Sequence, residues 1–331
     1  MEQNNKSYFA EEVNRVANLL KSRQAGADLT FALVTDSHLD DFEEDTVRNI
    51  REVDAQVSFD FVGHMGDFLN GGFPPAVTRK VLKEEMELYR GATGKRVFFP
   101  VQGNHDGHID FCGNGLHSDM ALDEDWFAAT EFVGATPGVV RKDNAPYYYV
   151  DYADKKIRLV ILCSFSYVWE EATKTYQKLY RMADAQLKWL DEEALALDSE
   201  WTVLFFSHDG PLSYFDEARL SEENWEGSNK KELLDLIQTA RKERGFAIAA
   251  WLIGHWHGEL CETVEGINYI VVGSQTCYVP QLWDMPEKGY YSPRKPGTVT
   301  QDLWYGVSLH LNERTLYFTH FGAGDDHVVT Y

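Results

Sequence analysis

Five short apolar runs, each ending in side chains that can ligate a metal, constrain this chain more than any other feature. TFALVTD (30–36), FDFVGHMGD (59–67), RVFFPVQGN (96–104), TVLFFSHD (202–209) and AIAAWLIGH (247–255) are nearly continuous in aliphatic and aromatic residues. Such runs are expected of strands covered on both faces. Helical patterns lie among them at 45–54, 76–91, 184–197 and 230–244, and an amphipathic helix is expected at 8–23. A second strand group is expected in YYYVDYA (147–153) and KIRLVILCS (156–164), joined at Asp154-Lys155. INYIVVGS (267–274), LWYGVSLHL (303–311) and RTLYFTHFG (314–322) would continue it, with a hairpin turn at Asn312-Glu313. Strands alternating with helices make the class α/β. Two long connections, 107–137 and 279–301, fit neither pattern, and read equally well as functional loops or as surface decoration. One domain is expected over 1–331, with a helix in 1–27, a core in 28–275 and a C-terminal loop and sheet-completing strands in 276–331.

Charge excludes several partners. Lys and Arg number 31 against 53 Asp and Glu, a net charge of −22. A long phosphate backbone or an anionic membrane normally selects a basic face. No run of basic residues is longer than Lys155-Lys156. A small anion held by metal ions stays compatible, because a bound cation sets its own local field. Cys112, Cys163, Cys261 and Cys277 form no C-x-x-C pair, so neither a disulfide framework nor a thiolate zinc site is expected. The N-terminal stretch has acids before its apolar positions and does not read as a signal peptide. No segment approaches the roughly 18 apolar residues of a membrane span. The expected location is cytoplasmic.

The strand ends carry the chemistry. The first ends Asp36-Ser37-His38, and residues two apart on an extended strand share a side. The second ends Gly66-Asp67-Phe68-Leu69-Asn70, the third Gly103-Asn104-His105-Asp106, and the fourth His208-Asp209-Gly210-Pro211. The fifth ends Gly254-His255-Trp256-His257-Gly258. Each of the first four has a plain alternative: chance, a helix cap, an Asx turn, a structural histidine. The paired histidines between glycines are hard to explain by packing. All five fall at the carboxyl ends of expected buried strands, where open α/β sheets gather ligands. Their donors are oxygen and nitrogen without sulfur, which suits Mn, Fe, Zn or Ni.

D-x-H, G-D-x-x-N, G-N-H-D, a lone H and G-H-x-H, in that order from Asp36 to His257, resemble the calcineurin-like metallophosphoesterase superfamily. The resemblance implies a four-layer α/β/β/α sandwich of two mixed sheets flanked by helices, and two divalent or mixed-valence metal ions. It implies that Asp36, His38 and His257 bind the first metal, that Asn104, His208 and His255 bind the second, and that Asp67 bridges them. His105 would be the general acid or phosphate-contacting histidine, with Asp106 orienting it. Two such ions bring water towards a pKa near 7 and clamp the oxygens of a phosphoryl group under attack. A departing alkoxide then needs a proton, which a histidine is suited to give. The expected activity is hydrolysis of a small soluble phosphate ester, with a diester favoured. One alternative is a nuclease, which would need a basic track. Another is a scaffold that has lost its metals, although every ligand position here is filled.

His64 reads as a core histidine or a partner to the ligands. His108 and His117 read as surface residues or substrate contacts, and His310, His320 and His327 receive no role. Tyr147 to Tyr149 are expected to fill the core between the sheets, and Trp256 to pack or to line the mouth of the site. From the charge, no affinity for duplex or single-stranded nucleic acid is expected. A band shift at physiological salt with a steep salt slope would overturn that expectation.

Overall fold

A computed structural model describes residues 6–107, 123–211, 229–277 and 293–331. Helix α1 (Ala10–Gln24) precedes β1 (Leu29–Val34), α2 (Glu43–Val57), β2 (Val62–His64), α3 (Pro75–Arg90), β3 (Phe98–Pro100) and α4 (Asp123–Ala129). There follow β4 (Val139–Arg141), β5 (Tyr148–Tyr152), β6 (Ile157–Leu162), β7 (Ser166–Glu170), β8 (Thr175–Leu179), α5 (Asp184–Trp189) and β9 (Thr202–Ser207). The chain continues through α6 (Lys230–Arg244), β10 (Ala247–Ile253), β11 (Leu260–Val264), β12 (Ile267–Val271), β13 (Leu303–His310), β14 (Thr315–Gly322) and β15 (His327–Thr330). Local chemistry sets several ends. Pro75 opens α3 at the position where a missing N–H costs nothing, and Gly245, at φ 83°, closes α6.

Among the described residues, one sheet runs β15-β14-β13-β1-β2-β3 and a second runs β11-β12-β10-β9-β6-β5-β4, while β7 and β8 form a separate hairpin. The set β1, β2, β3 is parallel, as is β12, β10, β9, β6. Both sheets are mixed, because antiparallel strands flank each parallel set.

Three apolar layers hold four layers of structure. Leu29, Phe31 and Leu33 of β1 face Leu204 and Phe206 of β9 and Leu252 of β10 between the sheets. The alternate residues Ala32 and Val34 face Val16, Leu20, Ile50 and Val53 of α1 and α2. On the far side, Val203, Phe205 and Trp251 meet Trp189, Leu233 and Ile237 of α5 and α6. Strands covered on both faces are why the runs read as continuous rather than alternating. The result is α/β/β/α layering.

The structure departs from the sequence reading in four places. LWYGVSLHL and RTLYFTHFG do not continue the second group. They become β13 and β14 of the first sheet, where β13 pairs antiparallel with β1, Leu29 opposite Leu309. An apolar run states that it is buried, not which neighbour it pairs with. The helix expected over 184–197 is α-helical only to Trp189, and a wider turn over Leu190–Ala194 finishes it. Of the three tyrosines, only Tyr148 enters the core between the sheets. Tyr147 and Tyr149 lie on the other face against Trp189, at ring distances of 4.7 and 6.2 Å. Finally, the expected connection over 107–137 contains α4, and that over 279–301 ends in a short turn at Val299–Gln301.

Cys163, Cys261 and Cys277 are free thiols, and Cys112 lies outside the described residues. No helix among the described residues is long and apolar enough to cross a membrane. Phe61, just before β2, stacks on Phe31 at 4.5 Å and touches Phe99 and Phe206, so it joins β1, β3 and β9 through the central layer. Phe61→Ala should lower unfolding free energy by about 3–5 kcal/mol in a urea titration.

Candidate metal centre

The carboxyl ends of both parallel sets meet at one edge. There the loops after β1 and β2 are bonded together: Asp36 N–H donates to Gly66 O (2.9 Å), His38 N–H to Asp67 O (3.1 Å) and Leu39 N–H to Phe68 O (3.0 Å). Asp36, His38, Asp67, His255 and His257 have φ of 50°, 51°, 56°, 71° and 58°. L-residues adopt that left-handed region only when their surroundings enforce it, at about 1–3 kcal/mol each. The motif glycines make the crowding possible. A Cβ on Gly66, itself at φ 104°, would sit 2.6 Å from His208 Nδ1, and one on Gly103 would sit 2.1 Å from Asp67 N.

The donors form two clusters, Asp36–His38–His257 and Asp67–His208–His255, each with one ligand atom per residue and all within 4.8 Å of one another. The two histidines of G-H-x-H thus divide between the clusters. Asp67 lies between them: its Oδ2 is 3.1 Å from His208 Nε2 and 3.8 Å from His38 Nε2. Asn104 joins the second cluster through Oδ1, 3.0 Å from His208 Nε2. His257 Nε2 lies 3.3 Å from Asp36 Oδ1 and 3.1 Å from His38 Nε2. All seven residues named from the motifs therefore converge on one place.

The donor set fits divalent cations. His38 Nδ1 lies 3.0 Å from Leu69 O and His208 Nδ1 lies 2.7 Å from Met65 O. A carbonyl only accepts, so each Nδ1 carries its hydrogen and each ring turns its Nε2 inward. Nε2 of His208 faces Asn104 Oδ1 and Asp67 Oδ2, and Nε2 of His38 faces that of His257. Asp36 Oδ1 is buried without any donor. Imidazole nitrogens, an amide oxygen and carboxylate oxygens turned to one point are the donor atoms a divalent cation accepts, displacing whatever protons they hold. Burial pushes His38 and His255 down to about 4, keeping them neutral ligands. For His208, burial opposes charge, yet Asp67 and Asp36 outweigh it and push the ring up to about 9. Burial would likewise raise Asp36 and Asp67, but the imidazoles, His208 foremost, hold both below the usual carboxylate range.

The role implied for Asp106 is corrected. Its carboxylate accepts from the backbone N–H groups of Gly103 (2.8 Å), Phe68 (2.9 Å), Asp67 (3.2 Å) and Leu69 (3.2 Å). It pins the turn that carries Asp67. His105 is oriented instead by Asn70, whose carbonyl lies 3.0 Å from Nδ1. The His105 ring stands at the rim of the clusters, with Nε2 3.9 Å from Asp67 Oδ2.

His64 is a core residue. It is fully buried, stacked on Phe68 at 3.7 Å, with Nδ1 accepting from Gly66 N–H and Nε2 paired with Ser37 Oγ. Trp256 packs in the outer core beside His255. His320 pairs with buried Glu259, which also accepts from Tyr305 Oη. His108 and His117 lie outside the described residues. Sequence reasoning missed Phe165 and Tyr180, whose rings stand 6.3 and 6.1 Å from His255. The available signal was β6: a strand parallel to β9 must end on the same edge as His208, which places Ser164-Phe165 there.

A family model described as calcineurin-like phosphoesterase matches residues 29–259. No curated protein matches. Among solved structures, GAP50, described as the anchor in the inner membrane complex of Plasmodium, aligns with 92% of this chain and 89% of its own at 11% identity and a TM-score of 0.52. PhoD aligns over 91% and 68% at 9% identity with a TM-score of 0.48. Phosphopantetheinyl hydrolase of Mycobacterium tuberculosis aligns over 75% and 91% at 14% identity with a TM-score of 0.41.

Asp67 touches both clusters, so Asp67→Ala should lose both metals, whereas Asp36→Ala should mainly weaken the first. Elemental analysis of the purified variants checks this, and two full equivalents in Asp67→Ala would refute the bridging role.

Proposed function

The chain belongs to the calcineurin-like phosphoesterase family, and we propose that it is a two-metal enzyme hydrolysing a small soluble phosphate ester, with a diester preferred. The observation that carries this reading is the convergence of seven oxygen and nitrogen donors, in two clusters joined by Asp67, on one sheet edge. Asp36, His38 and His257 would hold one cation, Asn104, His208 and His255 the other. When bound, the cations would supply Lewis acidity and an activated water. Mn, Fe, Zn and Ni all suit this donor set.

The chain's own residues set the rest. Nδ1–H of His105 is committed to the Asn70 carbonyl, which fixes the ring and turns Nε2 towards the clusters. With Nδ1 already protonated, Nε2 delivers a proton only from the imidazolium form. His105 is thereby placed to protonate the leaving oxygen. Net charge supports the diester: a diester carries one negative charge and a monoester up to two, and a chain of −22 repels the second more strongly. The same charge opposes polymeric nucleic acid as substrate.

A scaffold is the second reading, favoured by the likeness to an anchor protein. That likeness concerns the fold, whereas the complete donor set argues for retained chemistry. Metal content after purification without chelator separates the two: two tightly held metals fit an enzyme, none fits a scaffold. Activity is tested with bis-p-nitrophenyl phosphate, p-nitrophenyl phosphate, cyclic nucleotides and glycerophosphodiesters, each with Mn, Zn, Ni and Mg.

His105→Ala should keep both metals and lose about 10²–10⁴ in rate on an alkyl ester, but clearly less on a p-nitrophenyl ester whose leaving group hardly needs a proton. Equal losses on both substrates would assign His105 to phosphate positioning. Full activity on both would remove it from the mechanism.

A further inference from the structure

The turn after β1 carries three left-handed residues, Asp36, His38 and Leu39, at φ 50°, 51° and 53°. Such a turn persists only where its neighbours enforce it. The turn after β2 bonds one side of it. The other side is bonded by a strap over 274–277, just past β12. Gln275 N–H donates to Thr35 O (2.8 Å) and Thr276 N–H to Asp36 O (3.2 Å). Asp40 Oδ2 accepts from Thr276 Oγ1 (2.6 Å) and from Cys277 N–H (2.8 Å). The strap belongs to no helix or strand.

A single side chain, Arg294, joins the strap to a fixed part of the fold. Its half-buried guanidinium donates through Nη1 to Ser274 O (2.7 Å), through Nη2 to Gln275 O (2.8 Å) and Gln301 O (2.6 Å), and through Nε to Thr300 O (3.0 Å). Ser274 and Gln275 border and form the strap, whereas Thr300 and Gln301 lead into β13. That second segment is held on α2: Gln301 Nε2 donates to Asp45 Oδ2 (2.9 Å), and Asp302 accepts from Thr46 Oγ1 (2.6 Å) and Asn49 Nδ2 (2.7 Å). Gln275 Nε2 adds a bond of its own to Thr46 Oγ1 (2.9 Å). A guanidinium carries its N–H groups in a fixed planar fork, so one side chain can span carbonyls of two segments. The single nitrogen of a lysine cannot.

Resting on the two-metal reading above, we propose that Arg294 is a positioning residue for the first metal: through the strap it holds the turn that presents Asp36 and His38. Asn104, His208 and His255 of the second cluster hang on the loops after β3, β9 and β10, so the two sites should respond unequally.

The test is calorimetric titration of the full chain, stripped of metal, with manganese, in the native protein, Arg294→Lys, Asp36→Ala and the double variant. Arg294→Lys should weaken one manganese site about tenfold, the scale on which the supports of a metal ligand act, and leave the other. In Asp36→Ala, where the second cluster binds alone, adding Arg294→Lys should change the affinity by less than about twofold. Equal weakening of both sites, or of neither, overturns the proposal, because general loosening spares no cluster. Thr276→Val cuts the tie to Asp40 and leaves Arg294 in place; it should weaken the same site, and it serves where Arg294→Lys does not fold. Hydrogen exchange of the stripped protein reads the strap without metal. The amides of Asp36, His38 and Leu39 should exchange faster in either variant, while that of Gly254, bonded to His208 O, keeps its rate. A native chain that binds fewer than two manganese ions retires the two-metal reading and leaves the exchange rates to decide. Faster exchange over 36–39 then keeps the positioning role, and unchanged rates there overturn it.

Discussion

Asp36 and Asp67 are carboxylates buried at the edge where the two sheets meet, and the arrangement around them answers the cost of keeping them charged there. An unpaired buried carboxylate is disfavoured by several kcal/mol. Here each is ringed by imidazoles, and Asp36 also accepts from Thr35 Oγ1 (2.5 Å) and the His255 N–H (3.0 Å) through Oδ2. Its other oxygen has no hydrogen-bond donor. Protein groups thus satisfy one side of the carboxylate and leave the other to a cation. The same division holds for His38 and His208, whose Nδ1 atoms are occupied by backbone carbonyls and whose Nε2 atoms point inward. Orientation comes from the backbone, and the inward nitrogens are what remains to meet a cation.

That division explains why the loops tolerate strain. Five of the seven donors adopt a left-handed backbone that their side chains disfavour. The turn after β2 is held by Asp106, which gathers four backbone N–H groups that would otherwise be buried without partners. Beneath the loops, Ser37 Oγ meets His64 and Tyr89 Oη donates to Glu43 Oε1 at 2.9 Å. Burial and the adjacent Glu43 push Glu85 up to about 9, so Glu85 is uncharged at neutral pH. Farther along the sheets, Glu259 joins Tyr305 of β13 to His320 of β14. The polar groups buried in this protein are concentrated where two elements must be held at a set distance.

Much of this was legible in the sequence because burial on both faces leaves a plain mark. The five apolar runs became β1, β2, β3, β9 and β10, and α6 spans residues 230–244 as its pattern indicates. Pairing was less legible: β13 has the same apolar character whether it extends one sheet or the other, and the choice depends on the open edge of β1. The hairpin of β7 and β8 was missed because Val168 and Trp169 are exposed, so SYVWE carries no alternation. At the site, the donors were legible as residue types but their supports were not. Asp106 stands beside His105 in sequence, and adjacency invited a direct contact. On a turn, neighbouring side chains diverge, and Asp106 points back into the protein while His105 points out.

The same contrast separates what is constrained from what is adjustable. The donors hang on loops tied to each other and to both sheets: His208 binds the Met65 carbonyl, the His255 N–H binds Asp36, and the Gln275 N–H reaches Thr35 O at 2.8 Å. Moving any one of them disturbs partners on another strand. The β7–β8 hairpin belongs to neither sheet, and its backbone bonds run between its own two strands. It touches the centre through the rings of Phe165 and Tyr180 at its stem. A segment so attached can change sequence and length while leaving the bonds among the donor loops in place. The donors are therefore fixed by ties among several strands of both sheets, whereas the hairpin meets them only through two aromatic rings.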